Sequence, residues 1–181
     1  MNLKVNVMKL FLVGYMGCGK STTARKVAKM LDVETIDTDA LVEEREGASV
    51  NDIFYYEGEE YFRAAERRVL EELISSDRDL VISTGGGLPT WSDNMELMNR
   101  SGATVWIDRS AEQTARRLSP HGRQKRPKLR GLNDEELVEF MQRNMAERKC
   151  HYSKAIHHIE VDPLSDAELC DQIVKIFTAA K

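Results

Sequence analysis

Cysteine is scarce in this sequence. Three residues, Cys18, Cys150 and Cys170, stand far apart with no metal-like spacing. An odd, scattered set argues against a disulfide scaffold and fits a reducing compartment. No apolar run approaches the roughly 18 residues that a membrane helix needs, so no membrane is expected as a partner. The apolar stretch in MNLKVNVMKLFLVG runs straight into a glycine-rich motif and reads as a core strand, not as a signal peptide. A basic excess is missing too. With 26 Lys and Arg against 30 Asp and Glu the net charge is -4, which gives no reason to expect nucleic acid as the main partner. Internal repeats and low-complexity linkers are also lacking. What is there is ordinary globular material: 181 residues, 41% apolar and 31% charged, enough for one domain with a buried core.

Strand and helix signals alternate. Apolar runs at 10–13, 33–37, 80–83, 103–107 and 156–161 read as five strands. After Lys20, residues Ala24, Val27, Ala28 and Leu31 share one helical face, and Phe62, Ala65, Val69 and Leu73 make the buried stripe of a longer helix. Ser49 with Asp52 reads as the start of a short helix, and residues 92–100 as another that stops near Gly102. Ser110 with Gln113 reads as a capping box. Asn133 with Glu136 opens a helix reaching about Tyr152, and Ser165 with Glu168 caps the last one. Residues 119–131, with two prolines and two glycines, read as a mobile loop. This alternation predicts an α/β fold, a mostly parallel sheet covered on both faces that binds ligands beyond the carboxyl ends of its strands. Residues 14–21, 37–39 and 85–87 each follow a strand and are expected to converge on one crevice.

Gly14-Tyr15-Met16-Gly17-Cys18-Gly19-Lys20-Ser21 fits G-x-x-x-x-G-K-[ST] between a strand and a helix. Glycines let backbone N–H groups turn inward around a phosphate, and the helix N-terminus adds positive partial charge. Lys20 reaches the β- and γ-phosphates, and the Ser21 hydroxyl can ligate magnesium. Kinases, hydrolytic switches and motors all use such a loop. The chain is too short for most motors, and it lacks the N-K-x-D stretch with which a switch GTPase reads its base.

Asp37-Thr38-Asp39 closes the second strand. Two acids two residues apart in extended chain point the same way. Beside a triphosphate, one can hold magnesium through water while the other orients or deprotonates an attacking hydroxyl. The competing account is a pair of acids capping the next helix. Arg63 and Glu66 share one helix edge, so Glu66 can steady a guanidinium for bidentate capture of a carboxylate. On spacing alone a surface ion-pair lattice that includes Glu59 is the better account. Gly85-Gly86-Gly87 bares backbone N–H groups to a polyol. A basic block (Arg116, Arg117, Arg123, Lys125, Arg126, Lys128 and Arg130) contains no acid and lies where a lid could bring an arginine over the γ-phosphate. Arg148 falls on one helical face with Leu137, Met141 and Asn144, where a charge needs either a protein acid or an anionic ligand. Tyr152 lies one turn on. His151, His157 and His158 have no ligand-like partner set.

GYMGCGKST, DTD, EEYFRAAE, the GGG after VIST, KRP and RKCHY together make the chain resemble the shikimate kinase family over about residues 8–177. The resemblance implies three αβα layers around a five-stranded parallel sheet, a P-loop fold like that of nucleoside monophosphate kinases, with a lid. It implies one domain over 1–181, with the phosphate loop at 14–22, a substrate-binding helical segment at about 38–75 and the lid at about 118–131. The implied reaction moves the γ-phosphate of ATP to the 3-hydroxyl of shikimate, a step toward chorismate and the aromatic amino acids, in a cytoplasmic monomer. Motif by motif, ATP would lie on Gly17, Cys18, Gly19, Lys20, Ser21 and Thr22, with Arg117 near adenine and Arg126 as the lid arginine. Magnesium would sit on Ser21 and, through water, Asp37. Shikimate would meet Asp39, Arg63, Gly85, Gly86, Gly87 and Arg148, with Lys20, Asp39 and Arg126 as the catalytic groups. Ser83 stands where related P-loop enzymes keep a Walker-B acid. Two departures stand out: Arg126-Pro127-Lys128-Leu129 replaces the family's frequent R-P-L-L, and Cys18 fills a variable slot, as a small filler in preference to an alkylation-sensitive thiol. The alternatives are a gluconate or nucleoside monophosphate kinase and a nucleotide-binding module without catalysis.

Overall fold

A strand whose every side chain is buried belongs at the centre of a sheet covered on both faces, and Lys9–Val13 is such a strand. In the computed structural model, which describes residues 7–118, 120–124 and 126–181, this strand (β1) is central. It is flanked by β3 (Leu80–Ser83) and β4 (Ala103–Asp108), with β2 (Glu34–Asp37) and β5 (His157–Glu160) at the edges. All pairs are parallel, in the order β2-β3-β1-β4-β5. Even the lysine of β1 is accommodated: the buried Lys9 ammonium donates to the carbonyls of Ser76 and Arg78, just past a helix end.

The helices are α1 (Lys20–Leu31), α2 (Thr38–Glu46), α3 (Val50–Tyr56), α4 (Gly58–Ser75), α5 (Asn94–Ser101), α6 (Ala111–Arg117), α7 (Pro120–Gln124), α8 (Asp134–Tyr152) and α9 (Asp166–Ala180). Strand alternation divides the core in two. Phe11, Val13, Ile82 and Trp106 point into a cluster shared with α2 to α6 and α8, while Leu10, Leu12, Val81 and Val105 meet α1 and α9 on the other face. The three-layer αβα architecture follows, and β1, β2 and β3 all end on the same edge.

The five expected strands and the stripes of α1 and α4 are present, but three expectations need correction. The first concerns Asp37 and Asp39, which do not sit side by side in extended chain. Apolar periodicity marks no helix between the second strand and Ser49, yet α2 begins at Thr38, within the helical segment that the family resemblance implies. Asp37 is its N-cap, accepting from the backbone N–H of Asp39 at 3.1 Å, so Asp39 lies in a first helical turn. The second concerns residues 119–131, which are not structureless where they are described. Besides α7 there is a 3-10 turn at Pro127–Leu129, pinned because the Leu129 side chain is buried in the larger cluster. Ser119 and Lys125 lie outside the described residues. The third concerns the helix expected at 92–100. It starts later, at Asn94, because a 3-10 turn (Leu88–Thr90) and Trp91 occupy the approach.

Candidate active site

The loop between β1 and α1 has the backbone that its glycines permit. Gly14 adopts φ +143°, and a Cβ there would stand 2.7 Å from the Ile107 carbonyl oxygen; Gly19 adopts φ +110° at the mouth of α1. Lys20 opens α1. Its buried ammonium curls back to donate to the carbonyls of Gly14 at 2.8 Å and Tyr15 at 2.9 Å. Arg109, from the end of β4, braces the loop from outside by donating its Nε–H to the Cys18 carbonyl at 2.9 Å. Cys18 itself is 1% exposed and packs in the smaller core, so it fills space and offers no thiol to a reagent.

Three oxygen-bearing side chains meet beside the loop. The Ser21 hydroxyl donates to Asp37 Oδ2 at 2.7 Å and lies 3.1 Å from the Ser83 hydroxyl. Asp37 therefore does two jobs: one oxygen caps α2 and the other faces Ser21. The helix-cap account of this acid is met, and its second oxygen stands beside the phosphate loop. A cavity of about 230 Å³ opens over the loop, lined by Gly17, Gly19, Lys20, Ser21 and Thr22 and, on its far wall, by Arg117 and Arg126. Arg126 is held by donation to the Gly122 carbonyl at 2.6 Å.

The glycine turn after β3 gathers the remaining groups. Gly85 donates its N–H to Thr38 Oγ1 at 2.8 Å. A Cβ on Gly85 would collide with Asp39 Oδ1 and stand 2.7 Å from Glu66 Oε1. One on Gly87 would overlap the Arg63 guanidinium. One on Gly86 would stand 3.4 Å from the Met16 backbone nitrogen and 3.6 Å from Arg148 Nη1. The turn is thus wedged between the phosphate loop, two carboxylates and two guanidinium groups, and a Cβ at Gly85 or Gly87 would force those side chains to move.

Arg63 and Arg148 reach this turn from α4 and α8. Arg63 donates to Glu66 Oε2 at 2.6 Å and to the exposed Glu59 at 3.1 Å, with its guanidinium 5.4 Å from the centre of the Phe62 ring. Arg148 lies over the Tyr15 ring at 5.6 Å and leans on the Gly86 carbonyl at 3.4 Å, a carbonyl that also accepts from the Tyr152 hydroxyl at 2.6 Å. Among the described residues no carboxylate lies within 4 Å of Arg148. Burial pushes the Asp39 carboxyl up to about 6, reinforced by the charge of Asp37 and opposed by Lys20 and Arg63. Burial also pushes Glu66 up to about 7 despite Arg63 beside it, and its Oε1 has no hydrogen-bond partner among the described residues.

Every described side chain that the sequence singled out for phosphate, metal or acceptor lies on this one edge of the sheet. The sequence reading gave no role to Thr38, to Tyr15 under Arg148, or to the brace from Arg109. Thr38 stood inside DTD and Tyr15 inside the phosphate loop, so position alone marked them; nothing in the sequence marked Arg109.

The shikimate kinase family model matches residues 16–178. The shikimate kinase of Phocaeicola vulgatus is 41% identical over 87% of this chain and 89% of its own length. That of Parabacteroides distasonis is 44% identical over 81% of this chain and 84% of its own. Among solved structures, shikimate kinase from Bacteroides thetaiotaomicron superposes with a TM-score of 0.83 at 39% identity, covering 93% of this chain and 94% of the other. Shikimate kinase from Acinetobacter baumannii in complex with shikimate gives 0.81 at 31% identity, covering 96% and 94%.

Proposed function

The chain belongs to the shikimate kinase family, ATP-dependent enzymes that phosphorylate a hydroxyl of shikimate, and we propose how its own residues divide that work. The carrying observation is that two guanidinium groups from different helices flank a glycine turn whose other side touches the phosphate loop.

The triphosphate lies along the loop cavity. Lys20 exchanges its two loop carbonyls for the β- and γ-phosphates, Arg126 covers the γ-phosphate from the lid side, and Arg117 lies toward adenine. The family generally needs a divalent metal, and the residues here suit magnesium. Ser21, Ser83 and Asp37 offer only oxygen, and no cluster of three His, Cys, Asp or Glu stands ready among the described residues. A small hard dication that keeps water and phosphate as most of its ligands fits such a set, with Ser21 direct and Asp37 through water. When bound, it neutralises charge on the phosphoryl oxygens.

The shikimate carboxylate is gripped by Arg63 and Arg148. Glu59 is exposed and weakly held, so it yields its place on Arg63, while the buried Glu66 stays to fix the fork. Backbone of Gly85 to Gly87 meets the ring hydroxyls. The 3-hydroxyl oxygen forms a bond to the γ-phosphorus as the bond to the β–γ bridging oxygen breaks. ADP leaves, and the hydroxyl proton passes to Asp39, whose raised pKa suits a base working near neutrality. Positioning and electrostatics supply most of the acceleration, as is usual for phosphoryl transfer. We read the enzyme as a cytoplasmic monomer; its three free cysteines suit a reducing compartment, and no helix among the described residues is long and apolar enough to cross a membrane.

A coupled ADP-release assay across shikimate, gluconate and a nucleoside monophosphate tests the acceptor. Shikimate is expected to give turnover well above the other two. Gluconate or the nucleotide outperforming it would overturn the assignment.

A further inference from the structure

A second cavity, of about 240 Å³, lies behind the acceptor turn, between the end of β4 and α8. None of the roles above uses it. Its volume suits one substituted six-membered ring, since an apolar cavity of about 150 Å³ already admits benzene. Three aromatic residues, Tyr15, Trp106 and Tyr152, are among those that line it. Its cations are Arg109 and Lys149, neither with a carboxylate within 4 Å among the described residues. The acid in its lining, Asp108, is already engaged, its Oδ2 meeting His158 Nε2 at 2.9 Å. The Tyr15 hydroxyl, buried in the wall, has no partner among the described residues. A buried hydroxyl without a partner is rare in native proteins, and a polar group entering here would give it one.

We propose that this cavity is a second ligand site and that it takes a small planar aromatic carboxylate, the ring between Tyr15, Trp106 and Tyr152 and the carboxylate toward Arg109 and Lys149. Flat aromatic walls favour a flat ring, and unpaired cations in a half-enclosed site favour an anion. The walls are also anchors of the reaction machinery. Arg109 holds the Cys18 carbonyl of the phosphate loop, and Tyr152 holds the Gly86 carbonyl of the acceptor turn. An occupant would therefore touch the supports of both loops at once. The inference does not depend on which groups grip shikimate.

The test titrates benzoate, acetate and benzyl alcohol into the intact enzyme with shikimate and a non-hydrolysable MgATP analogue both saturating. The readout is fluorescence of Trp106 in a Trp91→Phe protein, backed by saturation-transfer NMR on the benzoate protons. Saturating shikimate keeps benzoate off the acceptor arginines, so a response comes from elsewhere. Benzoate is expected to bind, with acetate and benzyl alcohol weaker. Lys149→Glu, an exposed change that leaves the core intact, is expected to weaken benzoate about tenfold, the loss of one charge-assisted contact. No benzoate signal under these conditions, acetate binding as well as benzoate, or binding untouched by Lys149→Glu would each overturn the proposal.

Discussion

Gly85 shows how one missing methyl group sets the site. A Cβ there would push into Asp39 and Glu66 together, and both are held from behind, Glu66 by Arg63 and Asp39 by the first turn of α2. Gly85→Ala is expected to lower kcat/KM for shikimate by about 100-fold, the usual scale for a misplaced reacting group, while the Kd for MgATP stays near that of the parent enzyme. Steady-state kinetics beside nucleotide titration checks both halves. Asp39 allows a pH prediction with a definite sign. Its folded pKa, about 6, exceeds the ordinary 3.8, so the folded state holds the proton longer than the unfolded one. The Asp39 contribution to stability therefore falls as pH rises from near 4 to near 6 and is flat above, and kcat falls as pH drops through about 6. Asp39→Asn is expected to raise stability at pH 8 by on the order of 2 kcal/mol while removing most of kcat. Denaturant melts at pH 4 and pH 8 separate this from a general effect, since the gain should vanish at the lower pH. The motif residues were legible because phosphate chemistry restricts residue type so narrowly. Thr38 and Arg109 were not, because their partners, Gly85 and Cys18, are remote in sequence and their hydrogen bonds exist only once the strands are assembled.

Among the elements, the strands were the easiest to read. Each central one is a short continuous apolar run, which a strand buried on both faces requires. The order β2-β3-β1-β4-β5 was not legible, because nothing local tells a strand which neighbour it pairs with. Helix α2 left no periodic signal for a different reason: most of TDALVEERE is charged and only Thr38, Leu41 and Val42 are buried, so it carries almost no apolar stripe. Residues 119–131 read as plain loop because proline and glycine mask a turn that Leu129 anchors in the core. That contact makes the proposed lid testable. Leu129→Ala removes a buried side chain, a change worth about 2–4 kcal/mol in a core, and at the margin of the fold much of that cost should appear as lid opening. More ATP is then expected to be hydrolysed per shikimate phosphorylated, measured as ADP formed against phosphorylated product. Asn133→Ala is the control. It breaks the capping box of α8 at a cost of about 1 kcal/mol, visible in a thermal melt, and should leave that ratio unchanged.

Across the whole molecule, the phosphate and acceptor halves are joined by the packing of β1, β3 and α8 around Gly86, so each ligand should stabilise the fold through its own set of side chains. Shikimate at 100 times its Kd is expected to add about 2.7 kcal/mol, seen as a rise in Tm. In Arg148→Ala the same concentration should leave Tm near its unliganded value, while MgATP still raises it. The most direct test of the arginine cradle compares shikimate with the analogue bearing a carboxamide in place of the carboxylate, in the parent enzyme and in Arg148→Ala. The cradle predicts a preference for the carboxylate of about 100-fold in kcat/KM in the parent. It also predicts a preference at least about tenfold smaller in the variant, with the KM for ATP nearly constant. A preference of the same size in both proteins, or an equal rise in the KM for ATP, would contradict it.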